Sequence, residues 1–160
     1  MRESEIVVGV ISDTHGLLRP EAIGALRGAD MIIHAGDVGN PEVIEELRGV
    51  APTFVVRGNI DKEHWAATLP MTAVVEVGDR LFYVLHEISQ LDFDPAAAGF
   101  AAVVFGHSHA PSIEIREGVL FLNPGSAGPR RFKLPVAVAR VSVSGQRIVP
   151  EIIELQVARE

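Results

Sequence analysis

The sequence predicts a mixed α/β fold, a four-layer αββα sandwich in which two mixed β-sheets pack face to face with helices outside. Three observations carry this expectation. Residues 5–57 alternate apolar β-branched runs with short amphipathic segments, the signature of β-α-β-α-β with a parallel sheet. The second half consists of apolar runs joined by glycine-containing turns, which reads as strand hairpins. The chain has 160 residues with 48% hydrophobic content, enough for the core of one domain spanning 1–160.

Taken in order, Ile6 to Ile11 is almost continuously apolar, as expected of a strand buried on both faces. Pro20 opens a short helix with Ile23 and Leu26 on its apolar face, closed near Gly28. Met31-Ile32-Ile33 forms the second strand. Asn40-Pro41 is a helix start, with Asn as N-cap, Pro in the first turn and an acid following; Val43, Ile44 and Leu47 form its buried face and Gly49 ends it. Thr53 to Val56 is the third strand. Ala73–Val77 and Leu81–Leu85 flank the hairpin signal Gly78-Asp79. Pro95 to Ala98 predicts a short helix capped by Asp92 or Asp94, and Ala101 to Phe105 another buried strand. Two hairpins follow, Ile113–Ile115 with Val119–Leu122 around Glu117-Gly118, and Val136–Val143 with Ile148–Leu155 around Ser144-Gly145. The second half is expected to be largely antiparallel.

The formal charge of −7 argues against a broad nucleic-acid or anionic-membrane surface. It leaves room for one phosphate in a pocket, because bound cations reverse the sign locally. There is no cysteine, so disulfides, thiolate metal sites and cysteine nucleophiles are excluded. The N-terminus from Met1 to Glu5 does not lead into a signal-type apolar region, and no segment approaches a membrane span. The expected location is the cytoplasm.

The chemistry-bearing residues recur just past apolar strands. Asp13 and His15 follow Ile11, Asp37 follows Ile33, Asn59 follows Val56, His86 follows Leu85, and His107 and His109 follow Phe105. Ligands in open α/β sheets bind beyond the carboxyl ends of strands. Imidazole and carboxylate suit first-row divalent metals. Seven such groups on five strand ends suit two ions sharing a carboxylate, roughly 3.5–4 Å apart.

In this order, Asp13-x-His15, Gly36-Asp37, Gly58-Asn59, His86 and Gly106-His107-x-His109 resemble the signature of the calcineurin-like metallophosphoesterases. Gly58-Asn59-Ile60-Asp61 and Asn123-Pro124-Gly125-Ser126 are similar to the small single-domain phosphodiesterases of the YfcE and MJ0936 type. The resemblance covers residues 6 to about 130. It implies the metallophosphoesterase fold and a phosphodiesterase using two divalent ions. Asp13, His15 and His109 would hold one ion, Asn59, His86 and His107 the other, and Asp37 would bridge. A metal-bound hydroxide would attack phosphorus in line, without a protein nucleophile. Mn²⁺ is the expected metal, with Fe²⁺, Zn²⁺ and Ni²⁺ compatible with the same donors. The implied partner is a small-molecule phosphodiester; a homo-oligomer is compatible with the sequence.

Two positions depart from the family pattern. Many relatives carry histidine after the motif asparagine; here Ile60 stands there, so leaving groups that depart as stable anions should be favoured. Asp61 is expected to support the site by orienting a ligand or water. Glu87 follows His86 where glycine is common, so its backbone or its charge could alter the pocket.

Other residues carry blander readings. His64 is expected on a loop rim, and His34 either orients a ligand or is a satisfied structural histidine. Ser108 has no visible base and is not expected to be a nucleophile. Asn123 to Ser126 supports the site. Arg130 and Arg131, near Lys133, are candidates for contacting substrate phosphate, and Asn59 could touch it as well. Two alternatives keep the fold but change the task. One is a phosphomonoesterase on the same site. The other is a noncatalytic protein-binding scaffold resembling the retromer subunit, and the full set of seven donors speaks against it.

Overall fold

The computed structural model describes residues 4–131 and 133–157; Met1, Arg2 and Glu3 of the N-terminal reading lie outside them. Strand β1 (Ile6–Ile11) leads through α1 (Pro20–Leu26) to β2 (Met31–His34), then through α2 (Pro41–Arg48) to β3 (Thr53–Val55). β4 (Thr72–Val77), β5 (Arg80–Leu85), β6 (Ala102–Val104), β7 (Ser112–Arg116) and β8 (Val119–Asn123) follow, and β9 (Ala137–Ser144) and β10 (Arg147–Glu154) close the chain.

Each sheet has five strands, in the orders β10-β9-β1-β2-β3 and β4-β5-β6-β8-β7. β1, β2 and β3 pair in parallel, as the crossover helices require, with Gly9 opposite Ile32. Gly9 also admits α1: a Cβ there would stand 2.7 Å from the Leu26 side chain. The last hairpin adds antiparallel to β1, and Pro150 sits in β10, an edge strand where its missing N–H leaves no bond unmade.

Three apolar layers follow from these pairings. Val8, Val10, Phe82, Val84, Val104, Leu122 and Val141 fill the space between the sheets. Ile11, Leu26, Ile32, Val43 and Leu47 pack the helices onto the first sheet. Leu85, Val103 and Phe121 cover the outer face of the second with Tyr83 and Phe105. Phe82 and Val84 face one layer while Tyr83 and Leu85 face another, the period-two alternation of a strand buried on both faces.

The structure differs from the sequence reading in three places. Residues 95–98 form no α-helix. Hydrogen bonds from Ala98 N to Asp94 O and from Phe100 N to Pro95 O close a turn, with Asp94 Oδ1 accepting from Ala96 N. The outer layer of the second sheet is therefore built from this turn and the 3₁₀ segment Ile88–Gln90, anchored by Tyr83, Phe93 and Phe100 in mutual edge and tilted ring contacts. The second half is also less antiparallel than expected, because β6 pairs in parallel with both β5 and β8. Third, Gly49 caps α2 in a right-handed conformation (φ −69°), so α2 ends without a left-handed turn. The Asn40 cap forms as expected, accepting from Val43 N. Among the described residues no helix is long and apolar enough to cross a membrane.

Candidate metal centre

The loops leaving β1, β2, β3, β5 and β6 meet at one edge, where both sheets end. Asp13 N donates to Gly36 O, and His15 N to Asp37 O, stitching the first two loops together. Gly106 N donates to His86 O and joins the loops after β5 and β6. Close approach is built into two glycines that need no unusual φ. A Cβ on Gly58 would overlap the Asp37 backbone N and Oδ1, and one on Gly106 would overlap the Ser12 hydroxyl.

The expected donors form two groups of three, Asp13 with His15 and His109, and Asp37 with His86 and His107, each with donor atoms within 4.8 Å of one another. Asp13 Oδ1 lies 3.3 Å from His109 Nε2 and 3.8 Å from both His15 Nε2 and His86 Nε2. Asp37 Oδ2 lies 3.2 Å from His86 Nε2 and 3.6 Å from His15 Nε2, so it reaches both groups. The Asn59 amide completes the second group. Its oxygen faces His86 Nε2 at 3.0 Å and both Asp37 oxygens at 3.2 Å. An amide oxygen crowded by acceptors is satisfied either by turning the amide over or by a cation among the three residues.

The atoms turned inward suit a cation in other respects. Asp13 Oδ1 and His15 Nε2 are buried without a hydrogen-bond partner, an arrangement rare for buried polar atoms. Asp13 Oδ2 is held by the Ser12 hydroxyl (2.7 Å) and His107 N (3.1 Å), which leaves Oδ1 facing the histidines. His86 Nδ1 is committed to Ala35 O at 2.7 Å, so Nε2 faces Asp37. All donors are nitrogen or oxygen, as the absence of cysteine requires.

Electrostatics tie the carboxylates to the imidazoles. Burial pushes the Asp13 carboxyl up, but the neighbouring His15 ring, the Ser12 hydroxyl bond and the charges of His86 and His109 bring it below its usual value. Asp37 behaves likewise: burial raises it, and the bonds from His86 and Ile60 N outweigh burial. Burial pulls His86 down, but the Asp37 bond, the charge of Asp13 and the Ala35 carbonyl leave it above the ordinary imidazole value. His109 is lowered, chiefly by burial, with Arg131 adding to the effect against the pull of Asp13. Cation binding at such a site displaces protons from the imidazoles.

Five of these donors occupy the left-handed backbone region: Asp13 (φ 55°), His15 (47°), Asp37 (58°), His107 (74°) and His109 (65°). Non-glycine residues adopt it rarely, and each instance costs about 1–3 kcal/mol. Among the described residues only Glu117, in a hairpin turn, joins them. Both D-x-H and H-x-H carry a left-handed residue at each end.

The remaining expectations divide. Asp61 is 2% exposed and accepts from Val38 N (3.1 Å), Gly39 N (3.0 Å) and Gly58 N (2.9 Å). It supports the site by clamping the loops that carry Asp37 and Asn59. Ile60 is 42% exposed beside Asp37, to which its backbone N donates. Glu87 has an ordinary extended backbone (φ −119°) and does not strain the loop. Its Oε1 lies 3.0 Å from His107 Nε2, a contact that leaves Nδ1 as the ring atom free to bind elsewhere. His34 is structural: Nδ1 accepts from Gly36 N, and Nε2 meets the Thr14 hydroxyl, which itself donates to Val38 O. Burial lowers its pKa to about 4 and keeps it neutral.

Asn123 supports the H-x-H loop, donating to Gly106 O and the Ser108 hydroxyl, and Ser126 donates to Asp13 O. Ser108, so engaged, also caps Ala110 N. His64 is exposed on its rim. Arg130 and Arg131 line a hollow of about 200 Å³ with His15, His109 and Pro129. One residue the sequence reading passed over is Arg57. It lines a cleft of about 340 Å³ beside Asn59 and His86, and its Nε is buried without an acceptor. Its place directly before Gly58-Asn59 was the available signal.

Residues 6–146 match the calcineurin-like phosphoesterase superfamily domain. The chain is 32% identical to a probable metallophosphoesterase of Methanothermobacter thermautotrophicus, with 92% of each chain covered. It is 33% identical to the phosphodiesterase YfcE of Escherichia coli, over 72% of this chain and 76% of that one. The fold is shared with vacuolar protein sorting 29 from Cryptosporidium parvum, at 20% identity and a TM-score of 0.81, covering 95% of this chain and 92% of that one.

Proposed function

This chain belongs to the calcineurin-like phosphoesterase superfamily and is a metal-dependent phosphoesterase, and from that premise we propose that it hydrolyses small-molecule phosphodiesters at a dinuclear centre. The observation that carries the proposal is the convergence of seven N and O donors into two groups, with Asp37 Oδ2 reaching both.

In this reading Asp13, His15 and His109 would hold one ion and Asn59, His86 and His107 the other, with Asp37 available to both. Mn²⁺ is the metal we favour, with Fe²⁺, Zn²⁺ and Ni²⁺ compatible with the donors. The ions would supply Lewis acidity and charge neutralisation for in-line attack of water on phosphorus. The residues do the positioning. Ser12 and His107 N hold Asp13 with one oxygen inward. Asp61 fixes the Asp37 and Asn59 loops. Arg130 and Arg131 line the hollow shared with His15 and His109, where a nonbridging or neighbouring phosphate oxygen would meet them. No side-chain nucleophile is involved, since the Ser108 hydroxyl is engaged by Asn123. Ile60 has no proton to give, so diesters with stable leaving anions are favoured over monoesters of alkoxides.

A noncatalytic scaffold is the second reading, because vacuolar protein sorting 29 shares the fold. Metal analysis combined with a monoester and diester panel across added divalent ions separates the readings. Under the proposal, close to two ions per chain accompany diester hydrolysis, and Asp37→Ala abolishes both. Undiminished hydrolysis after exhaustive chelation would remove the two-ion reading, and absence of any hydrolysis with both ions bound would favour the scaffold.

A further inference from the structure

The cleft beside the second donor group has a character of its own. It holds about 340 Å³ and is lined by Asn59, His86, Met71, Tyr83, Leu85 and Arg57 among others. Small-molecule sites typically combine such apolar walls with a few polar groups. Arg57 is the unusual member. Among the described residues its guanidinium makes no hydrogen bond or ion pair, and Nε is buried without an acceptor. A half-buried guanidinium with no protein acceptor is suited to an anionic group on a ligand. Two carboxylates also line the cleft. Glu87 is directed to His107 Nε2 at 3.0 Å. Asp92 is exposed, so its charge is screened by solvent.

The geometry points to a substrate subsite in this cleft: it takes one organic substituent of the phosphodiester, a flat apolar body packing against Tyr83 and Met71 and carrying an anionic group that pairs with Arg57. The inference rests on the phosphodiesterase reading and deepens it by naming the substrate class. Arg57 is a specificity residue here, acting on the substituent and not on the reacting phosphorus.

Symmetric aryl diesters test this, because whichever arm enters the cleft carries the same group. Bis(4-carboxyphenyl) phosphate and bis(4-carbamoylphenyl) phosphate are nearly identical in size and differ in charge. Their hydrolysis by the Mn²⁺-loaded protein is followed by chromatography of the released phenol. Relative to Arg57→Met, the wild type is expected to favour the carboxylate ester over the amide by roughly tenfold in kcat/KM, the scale of one charge-assisted hydrogen bond; the different leaving abilities of the two phenols cancel in that comparison. Arg57→Lys should keep part of the preference. Circular dichroism checks that both variants fold, and the ratio is internal to each protein.

An ester ratio that Arg57→Met leaves unchanged, including a loss in that variant that falls equally on both esters, overturns the inference while leaving the phosphodiesterase reading intact. Hydrolysis of neither ester, nor of an unsubstituted aryl diester, overturns the phosphodiesterase reading and the inference with it.

Discussion

Asp61 offers the sharpest way to separate loop architecture from metal chemistry. Its carboxylate is buried and accepts three backbone N–H groups, from Val38, Gly39 and Gly58, at 2.9–3.1 Å. Hydrogen bonds to a charged acceptor contribute about 1.5–3 kcal/mol each, and leaving a buried N–H unsatisfied costs about 1–3 kcal/mol. The bonds share one carboxylate and do not add independently, so Asp61→Ala should destabilise the fold by about 3–5 kcal/mol. Asp61→Asn is milder. Its oxygen can keep the Val38 and Gly58 bonds while its NH₂ opposes Gly39 N–H, for a loss of about 1–3 kcal/mol. Urea unfolding with a chelator present measures the structural part, because no ion then contributes. Metal affinity measured separately should also fall, since the freed loops carry Asp37 and Asn59. If Asp61→Ala lost less than about 1 kcal/mol in chelator, the clamp would be a bystander and the reasoning would fail.

Two further outcomes follow from named contacts. His34 is neutral in the fold with a pKa lowered from 6.5 to about 4 by burial, so between those values the unfolded chain binds the extra proton. Stability therefore declines as pH falls from about 6.5 to 4, by up to about 3 kcal/mol from this group. Chelated His34→Gln should have a shallower acid limb in urea titrations, and an identical limb would refute the assignment. Glu87 accepts from His107 at 3.0 Å, with both side chains partly exposed. Carboxylates behind metal-binding histidines typically matter 10–100-fold for affinity, and exposure places this one at the low end, so Glu87→Ala should weaken metal binding about tenfold. Competition with a chromophoric chelator reads it, and unchanged affinity would show that the pair does nothing for the site.

The β-α-β-α-β half was legible because each helix carried its own start signal and each strand its own apolar run. The neighbours of β6 were not, because periodicity marks a strand without naming what it pairs with. The Pro95 segment failed as a helix because four residues and one cap are too few to propagate one. The candidate donors were visible as polar residues at strand ends. Their support was not: Asp61 reaches Val38, and Asn123 reaches Gly106, across 23 and 17 residues of chain. Arg57 stood directly before Gly58-Asn59, but only the packed cleft shows that its Nε lacks an acceptor.

His15 and His109 each combine a twisted main chain with an unbonded ring nitrogen, so the molecule is kept competent at the expense of its own resilience. Replacing both with glycine should yield an inert protein that, freed of metal, melts no lower than its parent; a clear drop in scanning calorimetry would contradict this. Drift from hydrolase to passive platform would then be a descent the fold can make without unravelling.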